Sequence, residues 1–265
     1  MAKEDLVLLN TTREGVAVVT LNRPEVHNAF NPDVIERLSD IFETLRGADG
    51  VRVVLLEGNG PSFSAGADLA WMRAAAEYDK ATNQAEAAEL GRMLNRLFTL
   101  PKPTIAVVHG PALAGGMGLV SACDVAIASE NAFFALTEVR IGLTPATISP
   151  YVVRAMGARM AHRYFLSGER FTAEEAYRMG YLHSVVKDRN ALAEEAERLV
   201  TQFFQTAPDA VRTTKELLHR VTHADIDQNL IDYTANMIAE IRQTDEGREG
   251  TSAFLAKRKP WWQNG

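Results

Sequence analysis

The sequence predicts an α/β fold: a mainly parallel, helix-covered sheet followed by a helical C-terminal third. Two observations carry this. Up to about residue 145, β-branched runs alternate with helical patterns, the order expected of parallel strands joined by crossover helices. Beyond that point helical patterns follow one another, and only His183 to Val186 reads as a strand.

Val16 to Leu21 (VAVVTL) is the first β-branched run, stopped by Asn22-Arg23-Pro24. Asn31-Pro32 opens a helix with an N-cap residue and proline at the first helical position. Ile35, Leu38, Ile41, Phe42 and Leu45 continue it at helical spacing. Val51 to Leu56 is the next strand, broken by Glu57 to Pro61. A helix over about Asn83 to Leu100 leads to Pro101-Lys102-Pro103 and the strand Thr104 to Val108. Gly110 to Gly118 is glycine-rich and runs into a helical segment. Asp124 to Ala128 is a fourth strand and Phe133 to Leu136 a fifth. Thr172-Ala-Glu-Glu175 is a capping-box pattern for a helix through Met179. Ala191–Phe204, Ala207–Val221 and Asp225–Thr244 read as further helices. The basic, aromatic tail Phe254 to Trp262 is expected to pack its tryptophans rather than leave them free.

With 46% hydrophobic and 23% charged residues, the chain has the composition of a globular domain, not a disordered one. A formal net charge of −6 and a pI of about 5.6 lack the basic footprint of a generic nucleic-acid binder. The single cysteine, Cys123, sits in an apolar run and is expected to be a buried, inert thiol. Met1 to Asp5 is polar, without the apolar core of a secretory signal, and no apolar stretch approaches the ~20 residues a spanning helix needs. A cytoplasmic location is expected.

Three segments can carry chemistry. Phe63-Ser-Ala-Gly-Ala-Asp-Leu69 follows a strand and a glycine-containing loop. Its small residues let a ligand approach the backbone and let amides face an anion, although a tight turn has the same composition. His109-Gly-Pro-Ala-Leu-Ala-Gly-Gly-Met-Gly-Leu119 places Gly115 and Gly116 where a helix begins. Free amides and a positive dipole end suit a developing oxyanion there. Close helix–strand packing explains the glycines equally well, and neither a Walker A loop nor G-x-G-x-x-G is present. Glu138, in Leu136-Thr-Glu-Val-Arg-Ile-Gly142, reads by itself as an ordinary solvated glutamate.

Together these segments, with Thr104–Val108, Cys123–Ser129, Asn22-Arg23-Pro24 and Gly168-Glu-Arg-Phe-Thr-Ala-Glu-Glu-Ala176, resemble the enoyl-CoA hydratase/isomerase (crotonase) family over nearly the whole chain. The resemblance implies a ββα-repeat spiral core over residues 1–200 and a helical C-terminal trimerisation region over 201–265. It implies that the backbone amides of Ala67 and Gly115 bind a thioester oxygen. Ala65 and Asp68 match positions that contact adenine through the backbone, and Arg23, with Lys257 or Lys259, is a candidate for coenzyme A phosphates. Coenzyme A enters as part of the substrate, with no prosthetic group and no metal. A homo-oligomer, trimer or dimer of trimers, is expected, with neither nucleic acid nor membrane as partner.

Family hydratases hold water between two glutamates. The second matches Glu138; the first position is Gly118 here, which leaves space for a water or a bulkier acyl group. A single glutamate resembles some Δ3,Δ2-enoyl-CoA isomerases. Phe63–Arg73, Gly142–Arg154 and Lys257–Trp261 instead resemble bacterial methylglutaconyl-CoA hydratases of leucine catabolism. That resemblance implies 3-methylglutaconyl-CoA as substrate and a cation for its distal carboxylate, for which Arg73, Arg140 and Arg154 are candidates. Each of the three arginines serves equally as a surface or intersubunit salt bridge. RNA binding, known in some members, is weighed against by the acidic charge.

Overall fold

The computed structural model describes residues 3–12 and 14–263. In chain order the elements are α1 (Lys3–Leu6), β1 (Val7–Thr11), β2 (Val16–Leu21), α2 (Pro32–Arg46), β3 (Val53–Gly58), α3 (Leu69–Ala75), α4 (Lys80–Phe98), β4 (Thr104–Val108), β5 (Ala112–Leu113) and α5 (Gly115–Ala122). They continue as β6 (Val125–Ser129), β7 (Phe133–Ala135), α6 (Ser149–Met156), α7 (Ala158–Ser167), β8 (Phe171–Thr172), α8 (Ala173–Arg178) and β9 (Ser184–Val186). The chain closes with α9 (Arg189–Phe204), α10 (Pro208–Val221), α11 (Gln228–Ile241) and α12 (Asp245–Leu255).

Strands β1-β2-β3-β4-β6-β9 form one sheet and β5-β7-β8 a second. In the first, β2, β3, β4, β6 and β9 are parallel, and β1 runs antiparallel at one edge. The parallel core follows from its β-branched runs, which are buried on both faces. β4 shows this most plainly: all five residues are buried. Ala106 and Val108 join the main core with α2 and α4, while Ile105 and Val107 pack with Leu192 and Ala196 of α9 on the other face. Helix α2 buries Val34, Ile35, Leu38, Ile41, Phe42 and Leu45, and the Asn31 side chain accepts the Val34 amide at its start. The expected capping box is present at α8, where Thr172 and Glu175 satisfy each other's backbone amides.

Phe133 to Ala135 is a strand, but it belongs to the second, small sheet, which also supplies the base on which α5 begins. The short antiparallel β1 and the helices α3, α6, α7 and α12 complete what the sequence pattern left open.

Helix α10 is tied to the core by an ion pair whose lysine is buried. Lys215 Nζ lies 2.7 Å from Asp124 Oδ2 and also donates to the Lys102 carbonyl. Glu246 accepts the Asp209 and Ala210 amides, joining α12 to the start of α10. Helix α11 buries no residue. The tail folds back: Arg258 pairs with Glu249, Trp262 lies against Gly250, and the Trp262 carbonyl accepts from Arg52. Trp261 stays 54% exposed, so only one of the two indoles finds the packing expected of both. Among the described residues, no helix is long and apolar enough to cross a membrane.

Candidate active site

The strands β3 and β4 deliver two loops to the same end of the main sheet, the carboxyl ends where open α/β sheets bind ligands. The loop after β3 is laid out by residues 27–30. His27 and Asn28 adopt left-handed backbone conformations (φ 53° and 55°), which asparagine tolerates better than most residues. The Asn28 amide donates to the Asn59 and Ser62 carbonyls, and its Oδ1 accepts the Arg23 amide. The Ser64 hydroxyl donates to the Asn28 carbonyl and accepts the Gly66 amide.

Phe30 then pairs with Ala67 as an isolated parallel bridge. Its amide donates to Gly66 O at 2.6 Å and its carbonyl accepts from Asp68 N at 2.7 Å. In such a bridge the flanking groups of Ala67 face Phe30, so the amide of Ala67 itself points the opposite way.

The second loop runs Leu113-Ala114-Gly115. Ala114 has φ 47° and ψ −116°, a conformation strained for a residue with a side chain. Gly115 is the first residue of α5, so its amide has no intrahelical acceptor. The two loops touch. A Cβ on Gly66 (φ 87°) would lie 2.9 Å from Ala114 Cβ, 3.1 Å from Leu113 O and 3.4 Å from Gly115 N. A Cβ on Gly115 would lie 2.8 Å from the Phe30 ring and 3.8 Å from Gly66 Cα. Ala67 and Gly115 are half-buried, whereas Gly66 and Gly116 are buried. Two such amides, one of them at a helix N-terminus, can stabilise one developing oxyanion.

Glu138 begins a 3-10 turn (Glu138–Ile141). Its Oε2 is buried with no hydrogen-bond partner among the described residues. Burial pushes its carboxyl above the usual glutamate range, opposed only by a backbone hydrogen bond. A carboxyl held above its usual range by burial is suited to taking up a proton and giving it back.

Other residues fall differently. The Arg23 guanidinium is engaged: it lies 3.0 Å from Asp68 Oδ2, with both side chains largely buried, and donates to Ala29 O. Burial raises the Asp68 carboxyl, but the Ala70 amide and Arg23 outweigh it and hold it below the ordinary range. The Asp68 amide is given to Phe30 and its carbonyl accepts Met72 N. An adenine contact through that amide is therefore closed, because the amide builds the bridge. The Ala65 amide likewise donates to His27 O, which leaves the Ala65 carbonyl as the group able to meet an adenine.

Lys257 is exposed and in a left-handed conformation. The tail carrying it packs near Arg52, which precedes β3, at the opposite strand end from the two amides. Within one chain, Lys257 is thus not brought to the site.

Of the three arginines, Arg140 lies against Gly168 with Glu169 in its electrostatic reach, and Arg154 turns back to the Pro150 carbonyl. Arg73, in the last turn of α3, makes no ion pair among the described residues.

Gly118 does not leave the expected space. A Cβ there would meet Ile148 Cγ2 at 2.6 Å, Ile148 Cβ at 3.1 Å and Leu94 Cδ1 at 3.5 Å. The room made by the missing side chain is filled by Ile148, which is 3% exposed. Ile148 and Phe30 are the two site residues that motif reading missed. Phe30 stands 37 residues before its bridge partner in sequence, and Ile148 carries no chemical group to draw attention. The Cys123 thiol is pushed up to about 12 by burial and by Asp124, which fits an inert thiol.

The chain belongs to the enoyl-CoA hydratase/isomerase family, whose pattern it matches over residues 11–265. It is similar to the crystal structure of an enoyl-CoA hydratase from Shewanella pealeana, with 40% identity, a TM-score of 0.93, and coverage of 99% of this chain and 100% of that one. The short-chain-enoyl-CoA hydratase of Clostridium acetobutylicum is 34% identical, covering 93% of this chain and 94% of the relative. The mevalonyl-coenzyme A hydratase of Aspergillus fumigatus is 35% identical, covering 94% and 91%. The fold is that of crotonases.

Proposed function

We propose that this protein adds water reversibly to the double bond of an enoyl-CoA thioester. The observation that supports the reading is the contact of Gly66 with Ala114 and Gly115, which sets the Gly115 amide beside the residue preceding Ala67. In hydration, the Glu138 carboxylate accepts a proton from water while the water oxygen bonds to the β-carbon. The electron pair of the double bond moves toward the thioester oxygen, and the two amides stabilise the resulting enolate. Glu138 then delivers the same proton to the α-carbon, so one water is added and the carboxylate is restored. Hydratase names among the relatives support this reaction.

The acyl group we propose is short and branched with a distal carboxylate, as in 3-methylglutaconyl-CoA and its hydration product 3-hydroxy-3-methylglutaryl-CoA. The sequence likeness at Phe63–Arg73 and Gly142–Arg154 supports it. Arg73, Arg140 and Arg154 remain the candidate cations for that carboxylate; Arg73 is exposed in the last turn of α3. Coenzyme A binds as part of the substrate, with the Ala65 carbonyl toward adenine. A lysine such as Lys257 would reach the phosphates from a neighbouring copy.

We also propose a trimer or a dimer of trimers. Leu218, Ile226, Ile231, Ile238, Phe254 and Leu255 are exposed on or beside the C-terminal helices, apolar surface that a second copy would cover. Light scattering that gives the mass of one chain at micromolar concentration would refute this.

The test of the reaction is incubation with enoyl-CoA thioesters, including crotonyl-CoA and 3-methylglutaconyl-CoA, with products resolved by mass. A gain of one water is expected. An unchanged mass with a moved double bond identifies isomerisation and overturns the proposal.

A further inference from the structure

The wall one helical turn inside the paired amides is aliphatic and closed. Gly115 and Gly118 share a face of α5, separated by about 4.5 Å along the axis. Every residue of α5 from Gly116 onward is buried, so a group entering from Gly115 toward the interior meets the Gly118 face first. Ile148 is seated on that face, and Leu94 of α4 closes its flank.

The segment carrying Ile148 is itself fixed. Thr147 Cγ2 would lie 3.6 Å from a Cβ on Gly91 of α4, and Tyr151 Oη donates to the Gly91 carbonyl. Pro145 and Ile148 are both buried. The wall therefore has filled space behind it and little freedom to retreat, as expected of a close-packed interior.

We infer that Ile148 is a specificity-determining residue: seated on Gly118, it closes the acyl site so that compact acyl groups fit and long straight chains do not. This rests on the reading that the Ala67 and Gly115 amides hold the thioester carbonyl. With the carbonyl there, the acyl carbons beyond the β-position fall within one helical turn of Gly118. A pocket discriminates by about 10–200-fold per methylene when the extra carbon has nowhere to go. Removing the sec-butyl group opens room for several carbons.

The experiment compares binding of two unreactive thioesters, butyryl-CoA and octanoyl-CoA, to wild type, Ile148→Val and Ile148→Ala by calorimetry. The wild type is expected to prefer butyryl-CoA. The ratio of octanoyl-CoA to butyryl-CoA affinity should rise at least about tenfold in Ile148→Ala and by a smaller factor in Ile148→Val. Circular dichroism checks that each variant folds; if the alanine variant does not, the valine variant decides, with a rise above about twofold supporting the role. A ratio unchanged within about twofold in the folded variants overturns it.

Saturated thioesters cannot be hydrated. The selectivity is therefore read whether or not the wild type turns over crotonyl-CoA, and a failed hydration assay refutes the proposed reaction alone.

Discussion

Replacing Glu138 by glutamine separates the chemistry of this site from its stability, because the two should move in opposite directions. The carboxyl is raised by burial and one of its oxygens is buried without a partner among the described residues. A glutamate whose folded pKa is raised destabilises the folded state once it ionises. The stability is intact below the ordinary glutamate range and is lost as pH rises from that range through the folded value. Glutamine keeps the shape and cannot ionise, so at neutral pH the variant should be the more stable protein. Leaving a buried polar group without a partner costs about 1–3 kcal/mol, and more when it is charged; glutamine leaves the same position unpaired and removes only the excess due to the charge, itself of that order. Since Glu138 is only partly shielded from the site opening, the lower end applies. About 1 kcal/mol corresponds to about 2–4 °C in Tm for a chain of this size. The gain should vanish when both proteins are compared below about pH 4, where the carboxyl is protonated in either state. Activity should fall by about 10²–10⁴ in kcat with little change in KM. The assays are a hydration rate on crotonyl-CoA and calorimetric melting at neutral and acid pH. Near-full activity in Glu138→Gln would show that another group carries the proton. A Tm lowered at neutral pH would show that the carboxylate makes a bond the structure does not contain.

Three further outcomes follow from the packing. Gly66→Ala forces a Cβ against Ala114 and the Leu113 carbonyl at φ 87°; it should cut kcat by about 10²–10³, as loss of one oxyanion donor does, measured alongside an unchanged circular dichroism spectrum. Asp68→Ala removes both the α3 cap and the partner of a largely buried Arg23 and should cost about 2–4 kcal/mol in urea unfolding. Because the Asp68 carboxyl is held low, its contribution is present at neutral pH and fades as pH falls through the ordinary aspartate range, so the wild-type advantage should shrink there. Lys215→Ala leaves Asp124 facing an empty position under α10 and should raise hydrogen exchange in α10 more than in α2.

The parallel sheet was legible because β2, β4 and β6 are buried β-branched runs with a clear stop after each. The elements that escaped notice lack such a signal for identifiable reasons. Helix α12 contains Gly247 and Gly250, both poor helix formers. Its stability comes from tertiary partners: Glu246 on the α10 amides and Trp262 on Gly250. Strand β1 is a five-residue edge strand whose burial pattern shows one fully buried position, too little for a period to appear.

At the site, the segment Phe63–Leu69 and the pair Gly115-Gly116 stood out because small residues are needed where backbones nearly touch. The Phe30–Ala67 bridge joins residues far apart in the chain, and a contact between distant segments leaves no mark on either. The same holds for Arg23 and Asp68. Each was a candidate ligand by position, and their pairing became visible only once the two segments met.

The contact between Ile148 and Gly118 also bears on why one carboxylate can serve here. A second carboxylate beside Glu138 would raise one pKa of the pair by like-charge repulsion and share the proton between two groups. With Ile148 against Gly118, that position carries no titrating group, and the carboxyl of Glu138 is raised by its own burial. A lone carboxyl in such surroundings serves in both directions. In the proposed reaction it would accept from water as the enolate forms and return that proton to the α-carbon. With no second acid at position 118 to share it, the transferred proton in the proposed reaction stays on Glu138 until the carbon takes it, and the pH at which hydration begins to fail should track the Glu138 carboxyl alone. A pH–rate profile with a single acid limb in the wild type, absent from the residual activity of Glu138→Gln, is the expected outcome. Two acid limbs in the wild type would require a second titrating group and would refute the single-carboxylate account.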